Sequence, residues 1–232
     1  MRGRKYLIYI LVGVLSVMCL AGCGKKKEKS SSKVAETQVT VSPEPTATPQ
    51  MTATPEGEKG SASEELLSGK HHAEIEIKDY GTIKLELDAD AAPITTTNFL
   101  KLAREGFYDG LTFHRIISGF MSQGGDPNGD GTGGSEQTIK GEFQSNGVQN
   151  SVSHTRGTIS MARTEDPDSA SSQFFIVHGE APHLDGDYAG FGHVTEGIEI
   201  VDQICEKVQP IDGNGSVEKK NQPVITTVRV ID

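Results

Sequence analysis

The sequence predicts a mainly β fold, a closed antiparallel barrel carrying two helices, and three observations lead there. Short runs that alternate apolar and polar residues recur from residue 73 to the C-terminus. Two segments alone carry helical spacing. Glycine is abundant at 27 residues and tryptophan is absent, a loop-rich composition that suits strands better than a helical bundle. Closing the sheet into a barrel removes exposed strand edges. At 232 residues the chain is long enough for one sizeable core or two small ones.

Residues 1–22 precede the barrel and read as a secretory signal. Met1 to Lys5 is basic, and Tyr6 to Leu20 is an apolar run of fifteen residues. A spanning helix needs about 20, whereas a secretory h-region is shorter. The run ends in Leu20-Ala21-Gly22-Cys23, which resembles the bacterial lipobox. That resemblance implies cleavage before Cys23 and a diacylglyceryl thioether on it, two acyl chains being enough for stable membrane residence. An uncleaved anchor helix is the competing reading. Either way the body of the protein stands outside the cytoplasm, on the extracytoplasmic face of the cell membrane.

Residues 23–70 read as a tether. Lys25, Lys26, Lys27 and Lys29 are followed by serines and by SPEPTATPQMTATPEG. Such a segment buries too little apolar area to offset its ordering entropy. Its prolines favour an extended chain that spans on the order of several tens of Å. The lysines either meet anionic headgroups or are simply solvated.

The folded domain is expected over 71–232. AEIEIK (Ala73 to Lys78) and TIKLEL (Thr82 to Leu87) flank Asp79-Tyr80-Gly81 as a hairpin. Pro93 opens a helix through Arg104, with Phe99, Leu102 and Ala103 on one face and Gly106 as its stop. Thr158–Met161, Gln173–Val177, Phe191–Val194 and Val224–Ile231 are further strands. Thr195–Val208 forms the second helix, burying Ile198, Val201, Ile204, Cys205 and Val208. Cys205 is then a small core residue, and no disulfide framework or zinc spacing exists.

Charge narrows the function. The net charge is −10, and removal of Arg2, Arg4 and Lys5 with the signal takes it to −13. Nucleic-acid binding needs a basic face and is excluded on this balance. Asp126-Pro127-Asn128-Gly129-Asp130-Gly131 imitates the start of a calcium loop, but its twelfth position is Gln137 and a strand precedes it. No metal or other cofactor is expected, and a monomer is.

The informative stretch is FHRIISGFMSQGGD, Phe113 to Asp126. Phe113, Arg115 and Ile117 share one parity, His114 and Ile116 the other, and Ser118-Gly119 breaks the run into two strands. In such a hairpin Arg115, Phe120, Met121 and Gln123 face a common surface. A guanidinium and an amide beside apolar groups suit a bound peptide; no nucleophile–base pair is present.

This stretch resembles the signature of the cyclophilin family of peptidyl-prolyl cis-trans isomerases. GDGTGG (Gly129 to Gly134), GTISMAR (Gly157 to Arg163), SSQFFIV (Ser171 to Val177) and HLDGDYAGFGHV (His183 to Val194) follow in the family's order. The resemblance implies eight strands in a closed barrel with a helix at each end, and an enzyme that isomerises Xaa-Pro bonds in exported or surface proteins. A non-catalytic proline-peptide-binding or chaperone module on the same fold is the alternative. By resemblance Arg115 and Gln123 are catalytic, Gln123 and Gln173 holding the peptide backbone and orienting Arg115. Phe120, Met121, Phe175 and Leu184 form the proline pocket, and Gly131, Ala162 and Arg163 line the groove. His183 and Tyr188 are also substrate-binding by resemblance, standing where a tryptophan and a histidine are common, and Arg163 replaces an asparagine. The indole donor associated with cyclosporin binding is therefore missing.

The chemistry makes modest demands. Amide resonance sets a rotational barrier of about 18–20 kcal/mol. A rate gain of about 10⁴ needs roughly 5–6 kcal/mol, and one hydrogen bond to a charged group supplies about 1.5–3. The remainder falls to a dry pocket that grips the proline ring.

Overall fold

A computed structural model describes residues 65–232. The expected signal segment, the expected lipidation at Cys23 and nearly all of the expected tether lie outside the described residues. Contacts of the folded body begin at Leu67, which packs against the core and donates its N–H to Thr97 Oγ1 at 2.9 Å.

Strand β1 (Lys70–Ile77) and strand β2 (Gly81–Asp88) form the expected hairpin. Their register sets Ala73 against Leu85 and Ile75 against Ile83, so one face is apolar and buried throughout. The turn between them bends at Asp79, whose φ is +67°. Helix α1 (Pro93–Arg104) follows as read from the sequence.

Ala92 offers α1 no side-chain cap. Glu142, buried and 48 residues away, takes that place: its carboxylate oxygens accept from Ile94 N–H at 2.9 Å and Thr95 N–H at 2.7 Å. An anion at the positive end of a helix also complements the helix dipole. Glu142→Ala leaves both donors without partners, and we expect a loss of about 2–4 kcal/mol in urea unfolding.

The rest of the sheet comprises β3 (Thr112–Ile117), β4 (Met121–Asp126), β5 (Thr158–Met161), β6 (Phe174–Val177), β7 (Gly190–Glu196) and β8 (Ile225–Val230). Its order is β3-β4-β6-β5-β7-β2-β1-β8, every neighbouring pair antiparallel. The two ends curl together at a short seam. Thr112 bridges Val224, and Ile225 N–H donates to Leu111 O at 2.8 Å. Eight strands and two helices therefore stand as expected, with closure confined to that seam.

The core fills the inside of this curl. Phe99 from α1 meets Tyr108, Phe174 and Phe191 at ring distances of 5.1, 5.6 and 5.3 Å. Helix α2 (Ile198–Lys207) packs against β2, β3 and β4.

Two sequence expectations need correction. The second helix starts at Ile198, not Thr195, because Glu196 is paired with Lys84 on β2 and Gly197 turns the chain at φ +87°. A Cβ on Gly197 would lie 2.6 Å from Thr82 O, so only glycine makes that turn. The buried face includes Ile200, while Ile198 is only partly covered. The parity of β3 also breaks. Phe113 and Ile116 both point into the core, while Arg115 and Ile117 face the outside of the sheet. The ladder skips a residue between Phe113 and Arg115, a bulge that rotates the second half of the strand.

Candidate active site

The bulge in β3 is what delivers Arg115 to the outer face. There it pairs with Gln123, Gln123 pairs with Phe175 on β6, and Phe175 pairs with Ser160 on β5. These side chains form one row across four strands. A second row, Ile117, Met121 and Val177, runs beside it. Strand alternation thus splits two adjacent phenylalanines: Phe174 enters the core and Phe175 the outer row.

Loops complete the enclosure. Phe120 comes from the β3–β4 turn, Leu184 from a 3-10 turn at Pro182–Leu184, and Tyr188 from the segment that follows it. Together with Arg115, Met121, Gln123, Ala162, Arg163 and Phe175 they line a hollow of about 190 Å³. Met121, Phe175 and Leu184 form its apolar floor and belong, with Val177 and Ala181, to a cluster separate from the main core.

Arg115 is held at the mouth. Its Nε donates to Asn214 O at 2.8 Å and Nη1 to Gln123 Oε1 at 3.3 Å, with Met121 Sδ 3.7 Å away. Gln123 Nε2 donates in turn to Gln173 Oε1 at 2.9 Å. Gln173 Nε2 reaches Gly131 O and Gly133 O at 3.1 and 2.7 Å. The glycine loop, two amides and the guanidinium are one chain of hydrogen bonds. Burial lowers the Arg115 pKa from its usual value, and Tyr188 and Asp212 offset part of that. A guanidinium remains protonated regardless.

The structure brings most of the sequence-derived residues together, though in two hollows. Gly131 and Gln173 line a neighbouring polar hollow of about 300 Å³, which shares Gln123, Ala162 and Arg163 with the first. His183 stands on the rim, its ring 5.4 Å from Phe120, outside the lining of either hollow.

Sequence reasoning missed two supports. Asn214 carries the carbonyl that fixes Arg115, and it lies 99 residues downstream in a glycine-flanked turn that gives no local sign of its partner. His154 lies beneath Phe175, the rings 6.1 Å apart and nearly parallel. Its Nδ1 contacts Asp185 Oδ1 at 2.8 Å and its Nε2 contacts Ser160 Oγ at 2.9 Å. A neutral ring satisfies both, with Nδ1–H donating to the carboxylate and the serine hydroxyl donating to Nε2.

That neutrality makes stability pH-dependent. Burial lowers the His154 pKa, and Asp185 offsets only part. Burial lowers that of His114 as well. The unfolded chain takes up these protons near pH 6.5 and the folded chain does not until lower pH. The stability they confer is therefore whole above about pH 6.5 and is lost as pH falls toward the depressed folded values. We expect the urea midpoint to be lower at about pH 5.5 than at about pH 7.5, and His154→Gln to flatten part of that slope.

Comparison with known proteins is consistent along the whole domain. Residues 72–230 match the family described as cyclophilin type peptidyl-prolyl cis-trans isomerase/CLD. Peptidyl-prolyl cis-trans isomerase B of Bacillus subtilis (strain 168) is 52% identical over 124 residues, covering 53% of this chain and 83% of the relative. A peptidyl-prolyl cis-trans isomerase of Helicobacter pylori (strain J99) is 46% identical over 143 residues, covering 61% and 85%. Among solved structures, a Cryptosporidium parvum cyclophilin type isomerase superposes with a TM-score of 0.62 at 29% identity, covering 71% of this chain and 99% of that one. The same protein in the presence of the dipeptide Ala-Pro gives 0.61 at 30% identity, covering 69% and 99%.

Proposed function

Because the chain belongs to the cyclophilin-type peptidyl-prolyl cis-trans isomerase family and is such an isomerase, acting on proline-containing peptides, we propose how its site works and where. The proline ring enters the hollow over Met121, Phe175 and Leu184, with Phe120 as its wall. Arg115 then faces the Xaa-Pro linkage. As the linkage twists, its nitrogen loses resonance, becomes pyramidal and gains basicity. Nη2 of Arg115, whose donors the described contacts leave unspent, donates toward that nitrogen and the neighbouring carbonyl.

Gln123 and Gln173 are positioning residues in this reading. Their relay fixes the guanidinium before substrate arrives, so little reorganisation is needed as the twist develops. Leaving water assists too, since the twisted amide is less dipolar than the planar one. The observation that carries this reading is the guanidinium fixed by Asn214 O and Gln123 Oε1 at the mouth of an apolar hollow. A protease-coupled or NMR exchange assay on a proline tetrapeptide tests it. Turnover by the wild-type protein that survives Arg115→Ala would refute this allocation of roles.

The place of action is the outer side of the cell membrane, with Cys23 lipidated and residues 24–70 as a spacer. Small residues directly before Cys23 at the end of an apolar run support this, and two acyl chains suffice for stable anchoring. From there the enzyme meets exported chains whose folding waits on slow proline steps, which take tens to hundreds of seconds uncatalysed. Mass spectrometry of the mature protein should find a diacylglyceryl thioether on an N-terminal Cys23. A free Cys23 thiol would end the lipoprotein reading.

A further inference from the structure

Beside the proline slot, the polar hollow of about 300 Å³ has no carboxylate in its lining. Gly131, Gly133 and Gly134 bring main chain to its wall, and Thr132, Ser135, Thr164, Ser169 and Ser171 bring hydroxyls. Arg163 is the single charged residue among them, and it borders both hollows.

Arg163 is held unusually firmly for a cation at the edge of a groove. Its guanidinium carbon lies 5.0 Å from the Phe143 ring centroid and 4.7 Å from that of Tyr188, stacked against both. Nε donates to Asp187 O at 3.0 Å, and Nη1 donates to Thr164 O and Glu165 O at 2.8 and 3.3 Å. Three of its five N–H groups are spent on carbonyls, and Nη2 keeps two donors.

Acidic residues sit on the same loops, at Glu165, Asp166 and Asp187. None of their carboxylates pairs with Arg163 among the described residues. Arg163 is thus, like Arg115, a cation held in place without a counter-ion among the described residues. Its ordering cost is already met by the two rings and three carbonyls, so an incoming anion gains most of the attraction.

We propose that this hollow is an anion subsite, and that Arg163 selects clients bearing a carboxylate side chain, aspartate or glutamate, within a few residues of the isomerised proline. The proposal rests on the isomerase reading above and adds a substrate class to it. The hollow accepts a single carboxylate: the charge meets Nη2, and the Ser171 hydroxyl, the one of the five whose proton is not donated elsewhere among the described residues, replaces lost water. A basic side chain meets repulsion from Arg163 there.

The test uses tetrapeptides that carry glutamate or its neutral isostere glutamine at each of the two positions on either side of proline. The readout is the ratio of kcat/KM for the Glu and Gln peptides, taken within each protein so that general losses cancel. The wild type should favour Glu by about three- to tenfold at one position, and about 0.5 M NaCl should shrink that preference. Arg163→Gln should bring the ratio to about one, and Arg163→Lys should restore part of it. A wild-type ratio near one at every position overturns the subsite while leaving the isomerase intact. So does a preference that persists in Arg163→Gln. If no peptide is turned over, the isomerase reading falls and the subsite with it.

Discussion

Arg115→Ala should lower kcat/KM for a proline tetrapeptide by about 10²- to 10³-fold, the size seen when one preorganised donor to a transition state is removed. One charge-assisted hydrogen bond accounts for about 1.5–3 kcal/mol, and fixing by Asn214 and Gln123 raises the loss to about 2.7–4 kcal/mol. Arg115→Lys should recover little. Lysine offers a single flexible point of charge where the site holds a planar fork, and it cannot donate to Asn214 O and Gln123 Oε1 while also facing the peptide. Neither variant should change the unfolding midpoint by more than about 2–3 °C, because Arg115 lies outside the core and a partly exposed pair contributes little. A fluorescence-monitored melt beside the kinetic assay separates a catalytic loss from an unfolded protein.

Phe99→Ala should act in the opposite sense, on stability and not on the site. Phe99 is fully buried and meets three aromatic rings, one of them, Phe174, edge-on at 90°. Truncation removes its transfer free energy and leaves a cavity, a cost of about 3–5 kcal/mol. For a domain of this size each kcal/mol moves the midpoint by about 2–4 °C, so a fall of roughly 6–20 °C is expected. Turnover per folded molecule, measured well below the new midpoint, should change less than about threefold, since Phe174 rather than Phe175 receives the damage. A large kinetic effect with an unchanged midpoint would mean that the two faces of the sheet are not as independent as their packing indicates.

What the sequence revealed depended on how local the determining contact is. The β1–β2 hairpin alternates strictly because one face of a short-range pair is buried, so Ala73, Ile75 and Ile77 announce it. Phe174 and Phe175 are separated by alternation alone, and the site assignment of Phe175 needed only that plus the family motif. Phe113 and Arg115 show where alternation stops working. They share a parity but lie on opposite faces, because the ladder slips opposite Gly124, where a Cβ would come within 2.9 Å of Thr112 O. A single strand does not display a slip that its partner imposes. The start of α2 differs from expectation for a related reason: the spacing of Ile198, Val201 and Ile204 extends smoothly backward, but Glu196 is claimed by β2.

Long-range supports left no trace at all. Glu142 caps a helix 48 residues upstream, Asn214 fixes Arg115 across 99, and His154 reaches Asp185 across 31. Each uses an ordinary polar residue whose local sequence, even the evident turn around Asn214, does not say what it will meet. The aromatic clamp on Arg163 is of the same kind, since Phe143 and Tyr188 come from separate loops.

The central claim is that the Arg115 guanidinium stabilises the twisted linkage more than the planar one, and exchange measured on bound peptide addresses it most directly. Two-dimensional NMR exchange on a proline tetrapeptide held at saturation gives the cis–trans rate on the protein, and titration gives Kd. For Arg115→Ala the bound exchange rate should fall about a hundredfold while Kd shifts by less than about threefold, the pattern of an interaction made in the transition state. An unchanged bound exchange rate with a weakened Kd would contradict it, because Arg115 would then only bind the peptide.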